Sequence, residues 1–369
     1  MRPVAIDAFA GAGGLSLGLL QSGWRVAFAF DNDPIAVDTY RRNVGNHVRA
    51  LDATQLTGNE LLKHAGLLSG ELTMLTGGPP CQGFSLQRRH PHSDERNLLV
   101  GKFLELILDT APRSFVMENV PAVNSKRGKH LIETLVAETR AKGYDVHLTT
   151  LNAVDYGLAQ QRRRAFIVGV RDADVPFRWP KPTVDRWRTV REAIGDLPSP
   201  PADGSPHPTV PNHYREARLS PLNIERIRHV PEGGGRKDLP AHLELACHRN
   251  GHRHLDTYGR LAWDNPSGTI TARFDSFTRG RFGHPIEHRS VTLREGARLQ
   301  GFPDEFVFLG TREDGARLIG NAVPPPVAAA VTREVRRALG LGAPTSPRRT
   351  PQRSTASHQT ERATPATAP

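Results

Sequence analysis

The chain predicts an α/β fold: a doubly wound, mostly parallel sheet, accompanied by a second, smaller, loop-rich β domain. Three observations predict it. The first apolar run, Val4-Ala5-Ile6-Asp7-Ala8, meets a glycine turn at Gly11 to Gly14 and then a helical pattern through Leu15, Leu17, Leu19 and Leu20. Strand, glycine turn, helix is how an open sheet presents a nucleotide-like cofactor site at its carboxyl edge. Further strand-length apolar runs alternate with helical patterns, as parallel sheets require. The texture then changes: residues 199–288 are rich in Pro, Gly, His and Arg and hold nine of the 16 histidines.

Length and charge bound the rest. At 369 residues there is room for two domains. The formal net charge is +11 and the pI about 10.2, which favours a polyanionic partner, nucleic acid first. Basic residues are 42 Arg against 7 Lys. Guanidinium suits phosphates and guanine edges, although codon usage in a GC-rich genome raises Arg as well. Two cysteines do not make a disulfide framework and fit a reducing cytoplasm. No signal peptide and no apolar run of membrane-spanning length is evident, so a cytoplasmic, nucleoid-associated protein is expected.

Taken in order, residues 26–30 predict a second strand, ending at Asp31-Asn32-Asp33. An acidic residue there, about 20 residues past the glycine turn, commonly binds ribose hydroxyls. The dinucleotide fingerprint fails, because the last position of Gly11-x-Gly13-x-x-Ser16 is not Gly or Ala. Asp52 is expected to end a third strand; as a lone residue it could equally cap a helix. Residues 72–75 form a fourth strand that enters Gly77-Gly78-Pro79-Pro80-Cys81-Gln82-Gly83-Phe84-Ser85. The prolines fix φ and remove two donors, so Cys81 reads as a presented nucleophile or as an incidental residue of a rigid turn. Residues 86–97 make a polar, basic loop. A helix over 98–108 leads to a strand at 114–117 that closes on Glu118-Asn119-Val120. A carboxylate there can be desolvated and suited to holding a proton, or can be a cap. A helix over 131–140 and a strand over 144–151 precede Gln160-x-Arg162-x-Arg164, arginines that enter an apolar strand and need anions or acceptors. Gly268-Thr269-Ile270-Thr271-Ala272 reads as a short strand. Thr292 with Glu295 reads as the cap of a helix ended by Gly301 and Pro303. A last helix opens at Gly320-Asn321-Ala322-Val323-Pro324-Pro325-Pro326 and runs to about 339. Cys247, His248, His252 and His254 do not show the paired spacing of zinc sites, and no metal is expected. The Pro/Ser/Thr/Ala-rich tail at 342–369 is expected to be disordered.

These motifs, in this order over residues 3–340, resemble the DNA (cytosine-5)-methyltransferases. The resemblance implies an S-adenosyl-L-methionine methyltransferase fold, with a catalytic domain at 1–188 and 289–341 and a target-recognition domain at 189–288. It implies cofactor contacts from Phe9, Gly11, Gly13, Gly14, Asp31, Asp33, Asp52, Pro79, Asn321 and Val323. Asp31 stands where the family usually has Glu. It implies that Cys81 adds to the target cytosine, that Glu118 holds a proton at the ring nitrogen, that Arg164 contacts the base and that Arg162 helps hold the site. Gln82, Ser85, Arg88, Arg89, Arg96 and Gln160 are expected to face double-stranded DNA. A bacterial enzyme of a modification or restriction–modification system is implied, with or without a restriction endonuclease encoded nearby, and a monomer is expected. The rival readings are a tRNA cytosine-5 methyltransferase, a catalytically inactive DNA-binding regulator and an NAD-dependent oxidoreductase.

Overall fold

The structure is a computed structural model and describes residues 3–80, 98–124, 128–216, 219–245 and 256–342. Its centre is a seven-stranded sheet of order β3-β2-β1-β4-β5-β7-β6. The strands are β1 (Val4–Ala8), β2 (Arg25–Asp31), β3 (Val48–Ala50), β4 (Met74–Gly77), β5 (Ser114–Asn119), β6 (Asp145–Asn152) and β7 (Arg163–Val170). The first five pair in parallel, and β7 runs antiparallel between β5 and β6. The order reverses between β1 and β4, which opens a crevice at the carboxyl ends of both.

Alternation along each strand divides the apolar residues between the two faces. Ala5, Val26, Met74, Val116 and Val168 pack with α1 (Gly14–Gln21) and a late helix at Pro325–Ala338. Ile6, Phe28, Leu75, Phe115 and Ile167 pack on the opposite side, against α3 (Gly58–Ala65), α4 (Leu98–Thr110) and α5 (Lys129–Ala141). Between them in sequence, α2 (Pro34–Asn43) starts directly after β2, with Pro34 at its first turn and the Asp33 side chain accepting from the Ile35 amide.

Beyond β7 come α6 (Val190–Ile194), α7 (Pro221–His229), β8 (Gly259–Arg260), β9 (Arg281–Gly283), α8 (Leu293–Leu299), α9 (Arg312–Asn321) and α10 (Pro325–Ala338). A third core joins α6, α8 and α9 to Leu261, Trp263, Ile270, Phe274 and the Phe302–Phe306–Phe308 cluster. Among the described residues of this part, β8 and β9 are the named strands, so the expected β domain is mostly loop.

Two local expectations are corrected. Residues 268–272 form no strand: Ser267 makes an isolated bridge with Gln160, and the peptide groups of Ile270 go to side chains. Asp52 does not end a strand but caps the short turn at Ala53–Gln55, accepting from the Thr54 amide at 2.9 Å.

Candidate active site

The crevice at the strand ends holds a cavity of about 620 Å³, within the usual span for a small-molecule site. Four strand ends build it. After β1, Phe9 adopts a left-handed φ of 55° and lays its ring 5.8 Å from Phe30. After β2, Asp31 is fixed by two backbone donors, Gly11 N at 2.8 Å and Asp33 N at 3.0 Å. Burial raises the Asp31 carboxyl above its ordinary range, opposed by those two amides. After β4, the turn Gly78-Pro79-Pro80 forms another wall, and β5 contributes Glu118 and Asn119. The chain from α9 into α10 closes the far side with Gly320, Asn321, Ala322 and Val323.

Glu118 is buried, 7% exposed, and meets Arg164 across the β5–β7 pairing, with Nε 3.0 Å from Oε1. Burial is the largest influence on this carboxyl and raises it, against the nearby Arg164 and Arg162 charges. Glu118 therefore takes up a proton more readily than an exposed glutamate. Asn119 donates from Nδ2 to the Pro79 carbonyl at 3.1 Å while its Oδ1 accepts from Val120 N at 2.8 Å. The Pro-Pro turn is thus tied to the strand that carries the acid, at a residue two positions before 81.

Phe9, Gly11, Asp31, Asp33, Asp52 and Pro79 line the cavity, as do Asn321, Val323, Glu118, Arg162 and Arg164. Three expected residues do not, and their burial explains why. Gly13 (φ 98°) caps α1, where an added Cβ would press on Val44 and Tyr40. A Cβ on Gly14 would collide with the Val323 carbonyl, so α1 packs its first turn against the closing segment. Gln160, expected to face DNA, is fully buried. Its amide is spent on Ile270 N, Leu299 O and Gln300, leaving none for a partner. Arg162 lines the wall, yet its guanidinium donates to the carbonyls of Ile270, Gly320 and Ala322, which makes it a clasp. Cys81, Gln82, Ser85, Arg88, Arg89 and Arg96, with Cys247, His248, His252 and His254, lie outside the described residues. Among the described residues no His/Cys/Asp/Glu group is placed to hold a metal, and no helix is long and apolar enough to cross a membrane.

Sequence reasoning missed Asn119 and Arg317. Arg317, from α9, lines the cavity and bridges Asp33 and Asp314. Pro79 and Asp33, their partners from other strand ends, are not signalled by local spacing, whereas Asp314 lies one helical turn before Arg317.

A doubly wound sheet with a cavity at its switch point lined by carboxyls and guanidiniums, and a buried Glu118 paired with Arg164 in the cavity wall, fits an α/β enzyme of the methyltransferase type. The chain belongs to the C-5 cytosine-specific DNA methylase family, whose model matches residues 4–337. It is 32% identical to the Type II methylase M.HgiDII of Herpetosiphon aurantiacus, over 92% of this chain and 96% of that one. It is 33% identical to the Type II methyltransferase M.XorII of Xanthomonas oryzae pv. oryzae, over 92% of this chain and 85% of that one. Among solved structures it is similar to an E. coli prophage-encoded chain described as a DNA modification methyltransferase, with a TM-score of 0.67 and 25% identity, covering 92% and 100% of the two chains. The S. pombe Dnmt2 methyltransferase shares the fold, with a TM-score of 0.59 at 17% identity over 91% of this chain and 99% of that one. The protein is accordingly a DNA cytosine-5 methyltransferase.

Proposed function

We propose that this chain methylates C5 of a cytosine flipped out of a specific duplex sequence, with S-adenosylmethionine in the cavity and Cys81 as nucleophile. The observation that carries the reading is the convergence on one cavity of the Asp31 carboxylate, the Glu118–Arg164 pair and the Pro79-Pro80 turn that runs directly into Cys81.

The cavity residues fit the cofactor. Asp31, Asp33 and Asp52 offer carboxylate acceptors, matching the hydroxyl and amine donors of an adenosine, beside the apolar Phe30, Leu51 and Leu99. A pyrophosphate would need the open N-terminus of a helix; here α1 abuts the Val323 carbonyl, which disfavours a dinucleotide. When bound, S-adenosylmethionine would supply an electrophilic methyl group on a sulfonium.

The chain's own residues act on the base. The Cys81 thiolate forms a bond to C6, and the electron pair displaced from the C5–C6 double bond makes C5 nucleophilic. Glu118 holds a proton at the ring nitrogen, neutralising the charge that accumulates there. Arg164, paired with Glu118, contacts the base. Loss of the C5 proton and cleavage of the Cys81–C6 bond restore the ring after methylation. A cytosine inside a duplex is out of reach of such a nucleophile, so the base must leave the stack. The Type II names of the relatives favour a sequence-specific modification enzyme, with residues 189–288 setting the site.

The test uses a duplex carrying 5-fluorocytosine at the target, incubated with S-adenosylmethionine. Fluorine cannot leave as a cation, so the adduct stops after methyl transfer and survives denaturing electrophoresis. Cys81→Ser abolishes trapping, because a serine hydroxyl without a strong base is a far weaker nucleophile. Cys247→Ser does not, and Glu118→Gln slows it. Trapping by Cys81→Ser, or none by the wild type at a site it methylates, overturns the mechanism.

A further inference from the structure

Gln300 lies at the end of α8, fully buried, and does not line the cavity. Its Nε2 donates to the Ala322 carbonyl at 2.6 Å, and its Oε1 accepts from Gln160 Nε2 at 2.6 Å. Gln160 in turn accepts from Ile270 N at 2.9 Å. Backbone groups fix both amides: an N–H at 270 requires the oxygen of Gln160, and a carbonyl at 322 requires the nitrogen of Gln300. A second link runs alongside, with Arg162 donating to Ile270 O at 2.8 Å and to Ala322 O at 3.1 Å. Both polar groups of Ile270 are therefore tied to the carbonyl of Ala322, a residue of the cavity wall.

From this geometry we infer that Gln300 is a positioning residue that couples the cofactor cavity to the strap at 267–270, so that cofactor and DNA strengthen each other's binding. The inference rests on the function proposed above, in which the strap belongs to the recognition region. A buried amide chain has few intermediate arrangements: it is bonded or broken, and a shift of the strap is passed to Ala322. Coupling of this kind is reciprocal, each ligand changing the other's affinity by one common factor.

Gln300→Met tests it cleanly. Methionine has similar length and no donor. Ala322 O keeps Arg162, and Gln160 Nε2 keeps Leu299 O at 3.0 Å, so neither is orphaned. The dissociation constant of S-adenosylhomocysteine is measured by calorimetry on the full chain, with and without a duplex bearing the site mapped by bisulfite sequencing. In the wild type the duplex tightens binding by about fivefold or more, the scale of ordinary coupling. In Q300M that factor falls to about half or less, the parallel Arg162 link carrying what remains, while affinity without DNA stays within about threefold and the KM for S-adenosylmethionine rises with kcat little changed. Gln160→Met, which cuts the same chain one bond earlier, lowers the factor likewise and carries the test if Q300M is recovered unfolded. An undiminished factor in the folded variants, or a wild-type factor of one, overturns the inference. A wild type that binds no S-adenosylhomocysteine overturns the cofactor reading with it, and the two failures are thereby told apart.

Discussion

Asp7 sits mid-strand in β1, fully buried, and its partners are hydroxyls: Ser16 Oγ at 2.6 Å and Thr76 Oγ1 at 3.1 Å. Tyr40 donates to Ser16, so a file of O–H donors points at this carboxyl. Burial nevertheless dominates and pushes it up to about 7, with the Ser16 and Thr76 hydrogen bonds opposing. A carboxyl raised on folding contributes stability that is present below about pH 4 and is lost as the pH rises through about 7. At about 1.4 kcal/mol per unit, the loss comes to roughly 3–4 kcal/mol between pH 4 and 8. Asp31 and Glu118 are raised as well, so the readout is the difference between wild type and Asp7→Asn. Urea unfolding across that range should show the flatter profile in D7N; parallel profiles would remove Asp7 as the cause. Asn119 carries a second prediction at this scale. Asn119→Ala frees the Pro79 carbonyl, and a nucleophile misplaced by about 1 Å loses on the order of 100-fold in rate. Methyl transfer should fall by about 10- to 100-fold while affinity for S-adenosylhomocysteine holds within a few-fold. An equal loss of both would show that Asn119 merely supports the cavity.

Helix α8 shows what one element owes to a residue outside it. Thr292 and Glu295 form a capping box, with Thr292 Oγ1 accepting from Glu295 N and Glu295 Oε2 accepting from Thr292 N. Burial alone would raise the Glu295 carboxyl; Arg289, bonded to both its oxygens, overrides this and holds it at about 2. Arg289→Met should cost about 3–5 kcal/mol by leaving a buried charge unpaired, and adding Glu295→Gln should recover part of it. A double-mutant cycle in urea measures this, and strict additivity would refute the coupling. The box was legible in sequence because its residues are three apart; Arg289 was not, because pairing across a bend leaves no periodic mark. The same contrast runs through the site. Asp31 and Glu118 could be read from where their apolar runs stop. Gln160 could not, since its type and spacing look alike whether it faces DNA or Ile270. Residues 268–272 failed for a related reason: Thr-Ile-Thr has strand character, but Gln160 and Arg162 take the peptide groups a ladder would need.

At the scale of the whole molecule the arginine excess has a use that composition did not show. Arg260 donates to the carbonyls of Ile227, Val230, His284 and Glu287. Arg294 does so to Pro211, Pro303 and Phe306, and Arg336 to Gly23, Leu341 and Gly342. With few strands to satisfy its backbone, the part beyond β7 uses five-donor side chains to gather carbonyls that a sheet would otherwise pair. These cations are buried and cannot neutralise phosphates, so the net charge of +11 overstates the surface offered to DNA. Counterion release separates the two populations, since log affinity falls with log salt by about 0.9 for each phosphate neutralised. Residues 343–369 carry four Arg and one Glu. Deleting 342–369 should flatten the salt slope by at most about 3.6 and leave the methylated site unchanged. Arg260→Met should instead lower the thermal midpoint by several degrees, because it strands the buried carbonyls of Val230 and His284 while those of Ile227 and Glu287 keep backbone donors, and leave the slope within about 0.5 of wild type. Filter binding between 50 and 300 mM salt (about a sixfold range, enough to resolve one phosphate) measures both slopes. A slope that drops by a full unit in a folded R260M would place Arg260 on the DNA, and the division of arginines drawn here would fail.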